Sequence, residues 1–230
     1  MYAVTQSIEF GLFLTIGLYL LSVEIIKRLK QPWLNPLLLS IVMGSLILWG
    51  MKIPYEDYAY GASWIGYLLT PATVCLVLSF YRQSHLFKKH WKPVLAGVVA
   101  GAVAGIVVTV ILIYLLDIPE VLRHTLMTKN STGPIALEIA GLLQRPKDLV
   151  MLMVVGCGLF GFVVGNPILR LMGIKDPVAR GVAFGATSHI VGTAKAIENS
   201  KEEGAMSSVA ILITGLVYLV LVPLLFLVWR

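Results

Sequence analysis

The chain has 230 residues, 58% of them hydrophobic and 13% charged, with a formal net charge of +6. Soluble domains carry about 25% charged residues, so a water-soluble globule is excluded and the solvent is a bilayer. The basic residues flank apolar runs, which marks them as topology determinants rather than a nucleic-acid surface, and no polar stretch is long enough for a separate soluble domain.

Apolar segments of spanning length fall at about 8–26, 34–51, 61–81, 93–116, 149–172, 178–198 and 205–229. The first has no basic segment before it and no A-x-A cleavage pattern, so it reads as a mature helix rather than a signal peptide. It is followed by Lys27, Arg28 and Lys30. Asn35-Pro36 opens the second segment, and Thr70-Pro71-Ala72-Thr73 interrupts the third. Trp49, Tyr55, Tyr58, Tyr60 and Trp64 form an aromatic belt at one interface. Gly97, Gly101 and Gly105 recur every four residues in the fourth segment, as do Gly161 and Gly165 in the fifth. Small residues at this spacing let helices approach closely in lipid; close packing is the first reading, a sliding interface the second. Cys75 and Cys157 sit inside apolar runs without metal-ligand spacing and read as small apolar packers.

A shorter segment at about 131–144 is too brief to cross comfortably and reads as re-entrant or half-crossing. The acid-free loop with Arg82, Lys88, Lys89 and Lys92 is expected in the cytoplasm. Counting outward from it puts the N-terminus outside. With a re-entrant 131–144, Arg170, Lys175 and Arg180 are inside, Lys201-Glu202-Glu203 outside and Arg230 inside. Arg145 and Lys147 then fall on the less favoured side, and a full crossing of 131–144 would invert the later helices. The fold expectation is an all-α polytopic transmembrane bundle of about seven spanning helices plus one re-entrant or broken helix, forming a single integral membrane domain over 1–230.

Gly61-Ala62-Ser63-Trp64-Ile65-Gly66 with Thr70-Pro71-Ala72-Thr73 aligns with Gly181-Val182-Ala183-Phe184-Gly185 and Val191-Gly192-Thr193-Ala194. The hairpins that follow carry opposite charge, which reads as an inverted repeat offset by about 120 residues, with halves near 1–116 and 117–230.

Two breaks carry the chemistry. Ser131-Thr132-Gly133-Pro134-Ile135-Ala136 sets capping residues and a first-turn proline ahead of a helix, and a helix N-terminus so made attracts an anion. Glu138, one turn further on, is a buried acid or a partner for Lys195 or His189. Ser188-His189-Ile190-Val191-Gly192-Thr193-Ala194-Lys195 is the densest polar group inside an apolar span, and ionisable residues there are functional candidates by default. His189 changes charge near neutral pH. Gly192 allows a break, and Ser188 and Thr193 donate hydrogen bonds. Lys195 faces an anion or snorkels to the interface. The substrate-binding candidates are therefore Thr132, Gly133, Pro134, Ser188, His189, Gly192, Thr193 and Lys195, supported by Glu138, Asn35, Thr70, Pro71 and Thr73. Catalytic motifs and metal-ligand clusters are missing from the sequence, so no enzyme, metal or cofactor is expected.

The stretches Leu34-Asn35-Pro36-Leu37-Leu38, Ile53-Pro54-Tyr55-Glu56-Asp57-Tyr58, Gly133-Pro134-Ile135-Ala136 and Ala179-Arg180-Gly181 resemble the LrgB/CidB family of bacterial membrane proteins. So, most specifically, do Ser188–Ala196 and Glu203-Gly204-Ala205-Met206-Ser207-Ser208. Two departures stand out: Gly133 where the family has Thr or Ala, and Lys195 where Arg is usual. Lys lacks the bidentate fork of Arg. The resemblance implies a multi-pass protein of the bacterial cell membrane with an LrgA/CidA-type membrane partner, self-association, and one of two activities. One is holin-like or antiholin-like control of murein hydrolases and autolysis. The other is carriage of small monocarboxylates such as pyruvate or glycolate, and the buried polar cluster favours it.

Overall fold

The computed structural model describes residues 2–31, 33–82 and 84–228, and all regular structure among them is helical. The chain forms two compact units, Met1–Thr73 and Val74–Arg230. The boundary thus follows Thr73, whereas the expected repeat halves met near residue 116.

The first unit holds α1 (Tyr2–Thr5), α2 (Ile8–Leu29), α3 (Pro36–Gly50) and α4 (Tyr55–Gly66), and α5 (Leu69–Arg82) carries the boundary. Ser7 starts α2 by accepting from the Phe10 N–H at 3.2 Å, and Asn35 starts α3 by accepting from the Leu37 N–H at 2.8 Å. Helices α2 and α4 cross where Gly11 meets Gly61: a Cβ on Gly11 would lie 2.6 Å from the Tyr58 carbonyl oxygen. Buried Asp57 accepts from Gln6 Nε2 at 3.1 Å and from Thr5 at 3.4 Å. The expected span 61–81 is two helices, α4 and α5. Pro71 lacks an N–H and clashes with a preceding turn, so the chain breaks before it, at Tyr67 and Leu68.

The second unit holds α6 (Ser84–Leu115), α7 (Glu120–Met127), α8 (Gly133–Leu142), α9 (Lys147–Leu171), α10 (Pro177–Asn199) and α11 (Lys201–Val228). Among the described residues, 4 helices are long and apolar enough to cross a membrane: α2, α6 over Phe87–Leu115, α9, and α11 over Lys201–Leu227. Helices α6 and α11 run side by side in the same direction. Val94 and Val98 pack with Met206, Val209 and Ala210, and further along Ala102 and Ile106 pack with Tyr218 and Val222. Helix α9 runs against them, because Val150 and Val154 near its start share a cluster with α8, whose Ile139 joins Tyr218 and Val222.

Segment 178–198, expected to span, turns back on itself. At His189 the backbone takes φ 51°, ψ −137° inside α10. A Cβ on Gly192 would lie 2.9 Å from the Phe184 carbonyl oxygen, although eight residues of straight helix span about 12 Å. Phe184 and Ala196 pack together with Leu169 at the end of α9. Asn199 hydrogen-bonds Asn166 at 2.9 Å, and Arg180 pairs with Glu203 at 2.7 Å. Both ends of α10 therefore lie at the same end of α9. The arms 177–188 and 190–199 form a hairpin with Ser188 and His189 at its tip.

Helices α7 and α8 form a second hairpin. His124 and Arg145 both stack on Phe226, at 4.7 and 5.4 Å, and Met127 and Ile139 share one cluster. The re-entrant reading of 131–144 thus describes the returning arm of a hairpin that α7 begins. The two hairpins open toward opposite ends of the bundle, each followed by a long helix containing one proline, Pro167 in α9 and Pro223 in α11. An inverted arrangement therefore exists inside the second unit. The expected repeat, offset by about 120 residues, instead pairs segments of different units.

Because α10 turns back, Lys201-Glu202-Glu203 lie at the same end as Arg180, and not across the membrane from it as expected. Arg145 and Lys147 lie at the opposite end, toward which α11 runs; Arg230 falls outside the described residues. The long helices expose Leu152, Phe160, Leu216 and Val220, an apolar exterior suited to lipid.

Candidate functional site

The two hairpins meet tip to tip. Residues 128–132 make a tight turn in which the Ser131 N–H donates to the Thr128 carbonyl at 2.8 Å. The chain then enters α8 through Thr132, which has extended N-cap geometry but makes no side-chain cap, and through Pro134 in the first turn. The first-turn N–H groups of α8 and the positive end of its dipole therefore face this junction. From the other hairpin, the His189 Nε2–H donates to the Lys129 carbonyl at 2.8 Å. A carbonyl only accepts, so this bond sets the imidazole tautomer.

Polar side chains from four elements converge on the contact. The Lys129 ammonium donates to the Thr109 hydroxyl of α6, which donates to the Gly105 carbonyl at 2.6 Å. Asn130 hydrogen-bonds Tyr218 of α11 and accepts from Cys157 Sγ of α9 at 3.3 Å. The same thiol lies 3.4 Å from the Thr187 carbonyl, and the Thr187 hydroxyl is 3.0 Å from that of Ser188. The Ser131 and Thr214 hydroxyls are buried without hydrogen-bond partners among the described residues.

Glycines make room for this. A Cβ on Gly161 would overlap the Ser188 side chain, and one on Gly105 would lie 2.7 Å from Asn130 Nδ2 and 3.2 Å from the Tyr218 hydroxyl. Gly105 and Gly161, read in sequence as helix packers, thus admit the polar junction. Gly101 has open space beside it.

Of the residues expected at the site, Thr132, Gly133, Pro134, Ser188 and His189 are brought to the two tips. Gly192 and Thr193 lie on the returning arm of α10. The break falls at His189, while Gly192 lets the two arms close. Thr193 shares a 2.7 Å hydrogen bond with Ser207, tying that arm to α11. Lys195 lies six residues past the tip, about 9 Å back along the arm. Its ammonium pairs with Glu198 at 2.8 Å and sits 4.8 Å from the Phe162 ring centre. Glu138 is exposed on α8, so the acid beside Lys195 is Glu198. Asn35 caps α3 in the first unit and Pro71 is exposed in α5; the side chains of Thr70 and Thr73 lie outside the described residues. Cys75 is exposed, and Cys157 joins the polar junction rather than an apolar contact.

Sequence reasoning passed over Lys129, Asn130, Thr109 and Tyr218. Lys129-Asn130 immediately precede the Ser131-Thr132-Gly133-Pro134 motif, and reading 120–144 as one hairpin would have placed them at its tip. No group of three or more His, Cys, Asp or Glu side chains suited to a metal occurs among the described residues.

The LrgB-like family profile matches residues 15–228. The chain belongs to the LrgB-like family. It is 32% identical over 222 residues to the holin-like protein CidB of Staphylococcus epidermidis, covering 95% of each chain. It is also 32% identical over 199 residues to the uncharacterized protein YxaC of Bacillus subtilis, covering 86% of each. No solved structure matches it. In this LrgB-like chain the match spans both hairpins and the long helices that follow them.

Proposed function

We propose that this LrgB-like protein is a secondary carrier, or the site-bearing subunit of one, for small monocarboxylates such as pyruvate or glycolate in the bacterial cell membrane. The observation that carries the reading is the meeting of two oppositely opening hairpins at Lys129 and His189. Non-helical backbone at membrane depth is tolerated where protein buries it or where it lines a cavity, and carriers place substrate between oppositely oriented broken helices. The uncapped N-terminus of α8 supplies N–H groups and a dipole for an anion. Thr132 and Ser188 add hydroxyls, and the reading assigns no catalytic step. By the positive-inside rule, Lys88, Lys89, Lys92, Arg170, Lys175 and Lys201 are cytoplasmic, so α11 runs outward. An LrgA/CidA-type membrane protein and further copies of the chain are the partners of this reading.

Reconstituted proteoliposomes test it. Labelled pyruvate should accumulate under an imposed proton gradient, with the chain alone or with an LrgA/CidA-type protein co-reconstituted. Failure to take up any short monocarboxylate in both preparations overturns the carrier reading. A second reading, contact-mediated holin-like control of murein hydrolase release, is favoured by the similarity to a protein named holin-like CidB. On that reading, substitutions at the hairpin tips leave the lysis phenotype intact.

A further inference from the structure

Lys129 is a half-buried cation at the meeting of the hairpin tips, with no acidic partner among the described residues. The ion pairs among the described residues are Arg28–Glu24, Arg180–Glu203 and Lys195–Glu198, and Lys129 belongs to none. Its ammonium reaches Thr109, six residues before α6 ends at Leu115 and so about 9 Å in from that end. The groups around it include no carboxylate: the Thr109 hydroxyl, Asn130, the Cys157 thiol, and His189 on its own carbonyl. An ammonium drawn partly out of water gains from a counter-charge, and intramembrane charges pair or mark a solute path.

Two more features in the same turn ask for an anion. Thr132 leaves the first turn of the ten-residue helix α8 without a side-chain cap. Two residues from Lys129, the Ser131 side chain is 0% exposed and its hydroxyl has no partner among the described residues. An ammonium held only by a neutral hydroxyl, an unsatisfied hydroxyl and an uncapped helix N-terminus form a donor set with no anion to meet it among the described residues.

We infer that Lys129, the Ser131 hydroxyl and the first-turn N–H groups of α8 together bind the carboxylate group of the solute. The inference rests on the carrier reading and names the groups that hold the carboxylate. One cation neutralises one carboxylate, so a dicarboxylate would bring a second charge that no further cation at the junction meets among the described residues. Lys195, paired with Glu198, is already compensated.

The full-length protein in detergent, heated with pyruvate, malate or chloride at equal ionic strength, gives the first readout. Pyruvate should raise the unfolding temperature while malate and chloride do not, and K129Q should abolish the shift. In proteoliposomes the KM for pyruvate should rise about tenfold or more in K129Q, the scale expected for losing a charge-assisted contact, with K129R recovering part of it. Where K129Q fails to accumulate, S131A carries the test, with a raised KM at unchanged abundance. Uptake by K129Q, or by S131A in its place, with the wild-type KM overturns the inference and leaves the carrier reading standing. Stabilisation by chloride equal to that by pyruvate overturns the carboxylate assignment. A wild-type protein that neither binds nor transports any monocarboxylate removes both.

Discussion

His189 occupies a backbone conformation that L-residues rarely adopt, φ 51° with ψ −137°, and such strain costs about 1–3 kcal/mol. The hydrogen bond to the Lys129 carbonyl opposes that cost, since a buried carbonyl left unmet loses about 1–3 kcal/mol. The two effects separate by substitution. H189A keeps the strain and loses the bond, whereas H189G loses the bond and relieves the strain. H189A should therefore unfold at a lower temperature than H189G, by about 1–3 kcal/mol in stability, as measured by thermal denaturation in detergent. Equal stability of the two would mean that the backbone at 189 carries no strain. The sequence drew attention to His189 because an ionisable residue amid apolar ones is conspicuous. It misassigned the break to Gly192, because glycine permits positive φ but does not reveal which residue uses it.

Each hairpin needs its two arms held together at the base, and α10 does this with charge. The Arg180 and Glu203 side chains are only 12% and 9% exposed, and Arg180 also donates to Asn166 at 2.7 Å. Removing one partner of a buried pair costs about 3–5 kcal/mol, because the other charge is left behind. E203Q should lower membrane abundance and thermal stability by that order, while E24Q, in the exposed Arg28–Glu24 pair, should change either by less than about 1 kcal/mol. Comparable losses in the two would contradict a structural pair at the hairpin base. The break ahead of α8 was legible because Thr132-Gly133-Pro134 is a helix start written in local chemistry. The reversal of α10 was not: residues 178–198 have the length and apolar content of a span. The packing of Phe184 with Ala196, and of Gly192 against the first arm, shows the return. These contacts fold the segment onto itself and leave no trace in periodicity.

The two hairpins fix which loops of the second unit share an end, and thiol labelling tests this together with the proposed orientation. In a chain carrying Cys75→Ser and Cys157→Ser, single cysteines at Lys175, Lys201 and Gln144 should divide two against one. An impermeant reagent added to intact cells should label Q144C and spare K175C and K201C until the membrane is opened. A spanning α10 would instead put K175C and K201C on opposite sides. The membrane class of the molecule was evident from composition alone, and its family from short motifs across the chain. The number of crossings was not, because a half-crossing pair and one full crossing use the same count of apolar residues. Lys195 drew attention through its place in the polar motif, whereas Lys129 sat in a stretch that looked like a connecting loop.

The join between the hairpins runs from an imidazole to a main-chain oxygen, so residue 129 contributes to it whatever its side chain. A substitution there can therefore change the charge at the junction without unfastening the joint.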